Sequence, residues 1–522
     1  MIRKKRSLGW PFITWSLLAA LFFIFLNGYT FNSGDQEEHL PYLYRLINPS
    51  LYSLDYLVPY QTSHFTVRFY FVWMLFGLSK IFPVEWIVFV LHLISLAVVS
   101  WGVGVLTVTV TGRKESFLLA AFSVLLVLNN VTVGGNSIMD VQLTCSSLAT
   151  ALCVISIYLV FQKNIISAAI IAGIAALFQV LIGVHVILLI SVISFLNADH
   201  DKLKDGLYVF FTGILCASPM LIPILLSQSK PIDGDAQLYY SVLYNYRNPH
   251  HYLPSHFPIS DYIKTGFLWL IALICCTLDK SKFNKIYIYL IGIVILGGVM
   301  YTILMTNENF MGIGKLQWFK TTIWITLLSV IPIVGFLMGF APVRNFAQKI
   351  NRISIPVRGT GILFLLIVVV NTGWIPLEKL NKRYQVGFYK KDDKMLMHEW
   401  IAANTPLDAV ILAEPDDDGF LCQAKRSTPV AYKGIVHEPA FLIPWYNKMV
   451  DVYGVGINQI GRNPDVVSSA VILYPQRTDS MIISSITIDY RIWNLAKTSS
   501  SVLVGKKVIH QEGSYILTLF EK

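Results

Sequence analysis

The run FTVRFYFVWMLFGLSKIF, residues 65–82, decides how this chain is threaded. It is apolar enough to pass for a membrane span, with Arg68 near one end and Lys80 near the other. As a full crossing it would move every later connection to the other side and place TGRKES, residues 111–116, outside. As a helix lying along the external interface it leaves the basic residues sorted by side. With the N-terminus inside, the internal connections then hold Arg3, Lys4, Lys5 and Arg6; Arg113 and Lys114; Lys163; Lys202 and Lys204; Lys280, Lys282 and Lys285; and Arg344, Lys349, Arg352 and Arg358. The external connections hold only Arg45, Arg68, Lys80, Lys230, Arg247 and Lys315. Positive charge favours the cytoplasmic side, so the interfacial placement is preferred.

Of the 522 residues, 55% are hydrophobic and 14% charged, against roughly one quarter charged in soluble domains. Spans are expected at 10–28, 84–110, 116–132, 141–161, 164–178, 181–197, 206–228, 258–278, 286–305, 317–340 and 358–375. The first, without a small-residue cleavage site, reads as a retained signal anchor. The expected fold is a polytopic α-helical membrane protein of about eleven transmembrane helices with a C-terminal soluble α/β domain. Residues 1–375 form the membrane domain, with external loops 29–83 and 229–257, and residues 376–522 form the soluble domain outside. The net charge of +10 is explained by orientation charges in loops, not by a nucleic-acid surface. The six cysteines show no CxxC spacing, and only Cys422 lies in a polar stretch. Neither a disulfide framework nor a zinc site follows from them.

Within the terminal domain the pattern predicts a helix over 392–403, a buried strand over 409–413, a polar turn at 415–419, a strand at 429–432 and a helix near 439–451. Strands are expected in 481–493, 502–509 and 514–520, the last two joined as a hairpin through Gln511-Glu-Gly513. Asp416, Asp417 and Asp418 lack the alternation of a calcium loop and read as a solvated turn.

On this threading the polar residues collect on the external face. NSGDQEEH, residues 32–39, supplies Asp35, Glu37, Glu38 and His39. VGGNSIMD, residues 133–140, supplies Asp140; the turn between the fifth and sixth spans is followed by His185; YRNPHHYLP, residues 246–254, supplies Arg247, His250 and His251. The last external turn supplies Lys315, with Lys320 one or two turns into the span. Interfacial carboxylates must be solvated, paired or used. One of them at the membrane face suits the role of general base, while arginine, lysine and histidine suit a departing phosphate. Plainer roles accompany each residue: helix capping for Asp35, first-turn solvation for Glu37, Glu38 and Asp140, core packing for His185, and an ordered loop for Arg247. Adjacent histidines in an extended loop are expected to point apart, which weighs against a metal held by His250 and His251 alone. The carboxylates fit a scheme with a divalent metal as well as one without.

In layout the chain resembles the GT-C integral membrane glycosyltransferases. The likeness rests on the acidic first loop, the interfacial helices, a second aspartate-bearing external turn, many spans and a terminal external α/β domain. Within that superfamily it is similar to the protein mannosyltransferases and the lipid A aminoarabinose transferases. Residues 246–254 and the pattern from Trp400 to Lys433 resemble an uncharacterised bacterial branch. The resemblance implies an enzyme of the bacterial inner membrane that takes a sugar, with inversion, from a polyprenyl-phosphate donor to an acceptor outside. It implies that Asp35 is the base or acceptor-orienting group and that Asp140 is the second-loop aspartate. Gln36 departs from the family's adjacent acidic pair. Two readings of other classes stand beside it: a lipid-linked-substrate transporter or flippase, and a non-catalytic membrane scaffold. Transporters commonly carry inverted repeats and midplane charges; this chain shows no repeat, and its ionisable residues gather toward one face.

Overall fold

A computed structural model describes residues 10–32, 34–197, 202–228, 236–278, 281–370, 392–417, 419–457, 466–498 and 500–521. Arg3, Lys4, Lys5, Arg6, Ser33, Lys230, Lys280 and Asp418 lie outside the described residues, as do the end of the last expected span and the start of the expected soluble domain. The chain divides into two compact units that interleave in sequence. The first comprises residues 1–30, 84–222 and 250–388, and the second residues 31–83, 223–249 and 389–522.

The first unit is mostly helical in its described part, and it makes the protein a helical membrane protein. Val84–Thr111, Leu203–Ser227, Ile259–Leu278, Phe283–Leu304 and Phe310–Leu337 are long and apolar enough to cross a bilayer. Phe12–Asn27, Ser116–Leu128, Cys145–Phe161, Ile165–Phe178 and Val180–Leu196 occupy other expected spans as shorter apolar helices. Their ends have local causes. Thr144 and Ser147 form a reciprocal capping box that starts Cys145–Phe161. Gln179 alone is extended, which stops one helix and lets the next begin at Val180. Ala341–Asn351 and Ile355–Val369 meet at 84°. Arg358, expected only as an orientation charge, braces that bend: Nη2 donates to Asn351 O at 2.7 Å and Nε to Ile353 O at 2.9 Å. Its guanidinium also lies 4.5 Å from the Trp15 ring centroid. Between helices, Ser100 Oγ donates to Ala121 O (2.9 Å), Ser156 Oγ to Ala168 O (2.7 Å) and Trp269 Nε1 to Thr326 Oγ1 (3.1 Å). Such polar contacts hold helices together where lipid removes the hydrophobic drive.

The second unit gathers three stretches of chain. Phe69–Ser79, the helical part of the ambiguous run 65–82, belongs to it and has 11 residues. That is a length of about 16 Å, half the hydrocarbon core of a bilayer. The C-terminal stretch carries a four-stranded sheet of order β1-β2-β4-β3, with β1 Ile411–Leu412, β2 Tyr490–Asn494, β3 Val508–Glu512 and β4 Tyr515–Leu519. β1 runs parallel to β2, and the other pairs are antiparallel. The helices at Asp393–Asn404 and Pro439–Tyr453 and the closing hairpin agree with expectation. Residues 429–432 form no strand: Tyr453 Oη donates to Val430 O and Tyr56 Oη to Ala431 O, so side chains rather than a neighbouring strand satisfy these carbonyls. In the core Arg491 is fully buried, paired with Asp479 at 2.9 Å and lying over the rings of Tyr474 and Trp493.

Candidate functional site

The acidic first loop enters the second unit through two left-handed residues, Asn32 (φ 60°) and Gly34 (φ 59°). Gln36 holds this turn, accepting from Asn32 N at 2.8 Å, while Tyr44 Oη donates to Asn32 Oδ1 at 3.2 Å. The residue that interrupts the acidic pair is therefore structural. The helix Gln36–Ile47 follows, with Asp35 at its N-cap but making no side-chain capping bond. Capping does not account for Asp35.

The three carboxylates occupy different environments. Glu37 is 3% exposed. Glu38 is gripped by Arg68, whose Nη2 and Nε donate to Oε2 at 2.6 and 3.0 Å. Arg68, expected as an interfacial end charge, is thus the partner of the acidic loop. Asp35 is the open one: its side chain is 53% exposed and stands 3.8 Å from the Lys433 ammonium. His39 is buried beside them against Phe71 (ring centroids 5.1 Å apart), and neither ring nitrogen finds a hydrogen-bond partner among the described residues. Burial and then the Arg68 charge lower its pKa to about 3, so the ring is neutral.

Lys433 arrives on a tip that sequence reasoning passed over. Tyr56 Oη donates into a nest of carbonyls there, at 2.7 Å from Lys433 O and 2.9 Å from Gly434 O. Gly434 has φ +79°, and a Cβ would come within 2.7 Å of Leu57 Cδ2, so glycine is required at this approach. Asp55 secures the same region: its Oδ1 accepts from Leu57 N (2.9 Å) and Val58 N (3.0 Å), and its Oδ2 from Thr428 N (3.1 Å). Burial raises its pKa to about 6 despite those three donors.

The second loop reaches the same tip. The predicted extended segment 246–254 is instead a π-helical turn, Val242–Arg247, and a short helix, Pro249–Tyr252. Tyr432 Oη donates to Arg247 O at 2.9 Å, and the Arg247 guanidinium lies 4.6 Å from the Tyr432 ring centroid. Arg247 Nη1 donates to Asn248 Oδ1 at 2.8 Å; its buried Nε has no acceptor among the described residues. Asp35 and Arg247 therefore meet consecutive residues, Lys433 and Tyr432. A scan for spacing had no means of linking them, because the link is tertiary.

Elsewhere in this unit Asp417 corrects the solvated-turn expectation. Its side chain is buried, accepts from His398 Nε2 (2.9 Å) and pairs with Lys394 Nζ (3.2 Å). Burial pushes its carboxyl up, but the His398 and Lys394 charges outweigh that and hold it well below the usual range. Asp416 is exposed, 3.9 Å from Lys497.

The remaining candidates belong to the first unit. Asp140 accepts from Ser137 Oγ in an irregular turn, ahead of rather than within the helix starting at Cys145. His250 and His251 do face one another, with ring centroids 4.1 Å apart, because they sit on a helical turn instead of an extended loop. Their turn packs on Gly135, where a Cβ would meet His250 O at 2.8 Å. His251 Nδ1 lies 3.1 Å from Gly134 O. His185 is buried, with Nε2 3.1 Å from Leu316 O. Lys320 lies in a 3₁₀ turn, Trp318–Thr321, ahead of the helix that starts at Thr322, with Nζ 3.5 Å from Gln317 Oε1. Lys315, half-buried, ends the preceding 3₁₀ segment. Among the described residues no group of three or more histidine, cysteine or acidic side chains is arranged to hold a metal ion.

No curated protein matches the chain. Residues 393–452 match a domain of unknown function, DUF6798. The matched segment includes His398, Asp417, Tyr432 and Lys433, so it supplies the tip on which both loops converge.

Proposed function

We propose that the protein is a membrane glycosyltransferase of GT-C type, moving a sugar from a polyprenyl-phosphate donor to an acceptor at the extracytoplasmic face. Asp35 takes the proton of the acceptor hydroxyl or amine as that group attacks the sugar, and the lipid phosphate departs toward Arg247. The observation that carries this reading is the meeting of Asp35 and Arg247 on Lys433 and Tyr432. It sets the open carboxylate and a cation of the second loop about one tip. General-base help of this kind is worth roughly 10²–10⁴-fold in rate.

The threading is supported by parity. Residues 31–83, 223–249 and the C-terminal stretch form one compact unit, and on this reading that unit lies on one side of the membrane. Six apolar helices or helix pairs separate the first two stretches and four separate the last two, counting the bent pair as one. Even numbers return the chain to the same side. Orientation by basic residues makes that side external.

The test is transfer from a labelled prenyl-phosphate sugar by the full chain in nanodiscs. Asp35→Asn is expected to lower turnover at least a hundredfold while the donor still binds. Unchanged turnover refutes the role given to Asp35; absence of transfer by the parent chain favours a scaffold.

A further inference from the structure

The tip that faces Asp35 is fixed in its backbone and loose in its side chain. Tyr56, Asp55 and the left-handed Gly434 anchor residues 428–434. The Lys433 side chain, by contrast, is 34% exposed and only 3.8 Å from an even more exposed carboxylate. Exposed ion pairs of this kind are weak, because water screens them and both side chains lose freedom in forming them. Lys433 is therefore easily drawn to a stronger anion. Arg247, on the neighbouring residue, pairs with no carboxylate among the described residues and keeps a buried Nε–H without an acceptor. An uncompensated guanidinium N–H that is out of water is costly and points to a missing acceptor.

We infer that the segment matched to the domain of unknown function is the phosphate-recognition element of this protein, with Lys433 and Arg247 binding one phosphate group and Lys433 leaving Asp35 to do so. Before the ligand binds, the ammonium neutralises Asp35. When a phosphate is bound, Lys433 turns to it and away from the Asp35 carboxylate. The lysine acts as a point charge on a flexible stem and the guanidinium as a planar fork already stacked on Tyr432. The two supply complementary contacts to a tetrahedral anion. This inference rests on the transferase reading only for the use made of Asp35. The phosphate site itself stands on Lys433 and Arg247.

Binding of decaprenyl phosphate to the full-length protein in nanodiscs, with inorganic phosphate as competitor, tests it. Lys433→Gln and Arg247→Gln are each expected to weaken decaprenyl phosphate at least tenfold. Lys433→Arg is expected to restore most of the loss. Asp35→Asn, which frees Lys433 in advance, is expected to bind as tightly as the parent or tighter. Competition by inorganic phosphate that disappears in Lys433→Gln supports recognition of the phosphate as such. Absence of competition, with decaprenyl phosphate still weakened by Lys433→Gln, supports recognition of the headgroup on its chain. Parent-like binding of decaprenyl phosphate by a folded Lys433→Gln protein overturns the inference. If instead Lys433→Gln loses binding while the parent protein transfers no sugar from a labelled prenyl-phosphate donor, the phosphate site stands and the transferase reading fails.

Discussion

Arg68 holds Glu38 by two nitrogens on one oxygen, and in doing so it removes one carboxylate of the first loop from chemistry. What remains open to solvent is Asp35. Removing the arginine leaves a poorly exposed carboxylate next to a buried neutral histidine. Breaking such a partly buried pair from one side costs about 3 kcal/mol. Arg68→Ala is expected to lower the thermal midpoint in detergent, and Arg68→Ala with Glu38→Gln to recover much of it. A single variant as stable as the parent would contradict the pairing.

His39 gives the protein an acid-sensitive point. Its folded-state pKa, about 3, lies below the ordinary value of 6.5. Below pH 6.5 the unfolded chain takes up a proton that the folded chain refuses, so stability is complete above 6.5 and falls as pH drops toward 3. At pH 5 the loss is about 2 kcal/mol. Asp55, raised to about 6, works in the opposite direction, since the folded state takes its proton first. The comparison must therefore be made between variants. His39→Leu is expected to match the parent near pH 7.5 and to exceed it in thermal stability at pH 5. Parallel pH profiles for the two proteins would rule this out.

Asp55 ties the first loop to the tip that carries Lys433. Asp55→Ala leaves the amides of Leu57, Val58 and Thr428 without their acceptor. Each orphaned buried donor costs about 1–3 kcal/mol, less where water enters. The variant is expected to exchange the amide hydrogens of 55–58 and 428–434 at least tenfold faster, while helices such as Val84–Thr111 keep their protection. Uniform exchange across the chain would show a global rather than a local role.

Asp417 and His398 are coupled in the core of the matched segment. Asp417→Ala removes the counter-charge of Lys394 and the hydrogen-bond acceptor of His398. A double-mutant cycle with His398→Gln is expected to give a coupling energy of about 1–3 kcal/mol, typical of residues sharing one buried network. Additive effects would mean the two act separately.

The sequence by itself determined the membrane character, the positions of the apolar helices, the helices read at 392–403 and near 439–451, and the closing hairpin. These depend on hydrophobic length, charge asymmetry and turn chemistry, all of which act over neighbouring residues. Only the tertiary structure decided that Arg68 neutralises Glu38, that Gln36 holds the turn, that the Asp417 side chain is buried and that Lys433 and Tyr432 join Asp35 to Arg247. Whether a charged side chain is paired, buried or open depends on what distant chain packs against it. Periodicity and spacing carry no record of that partner, so which candidate carboxylate is paired, buried or open became visible only in the fold.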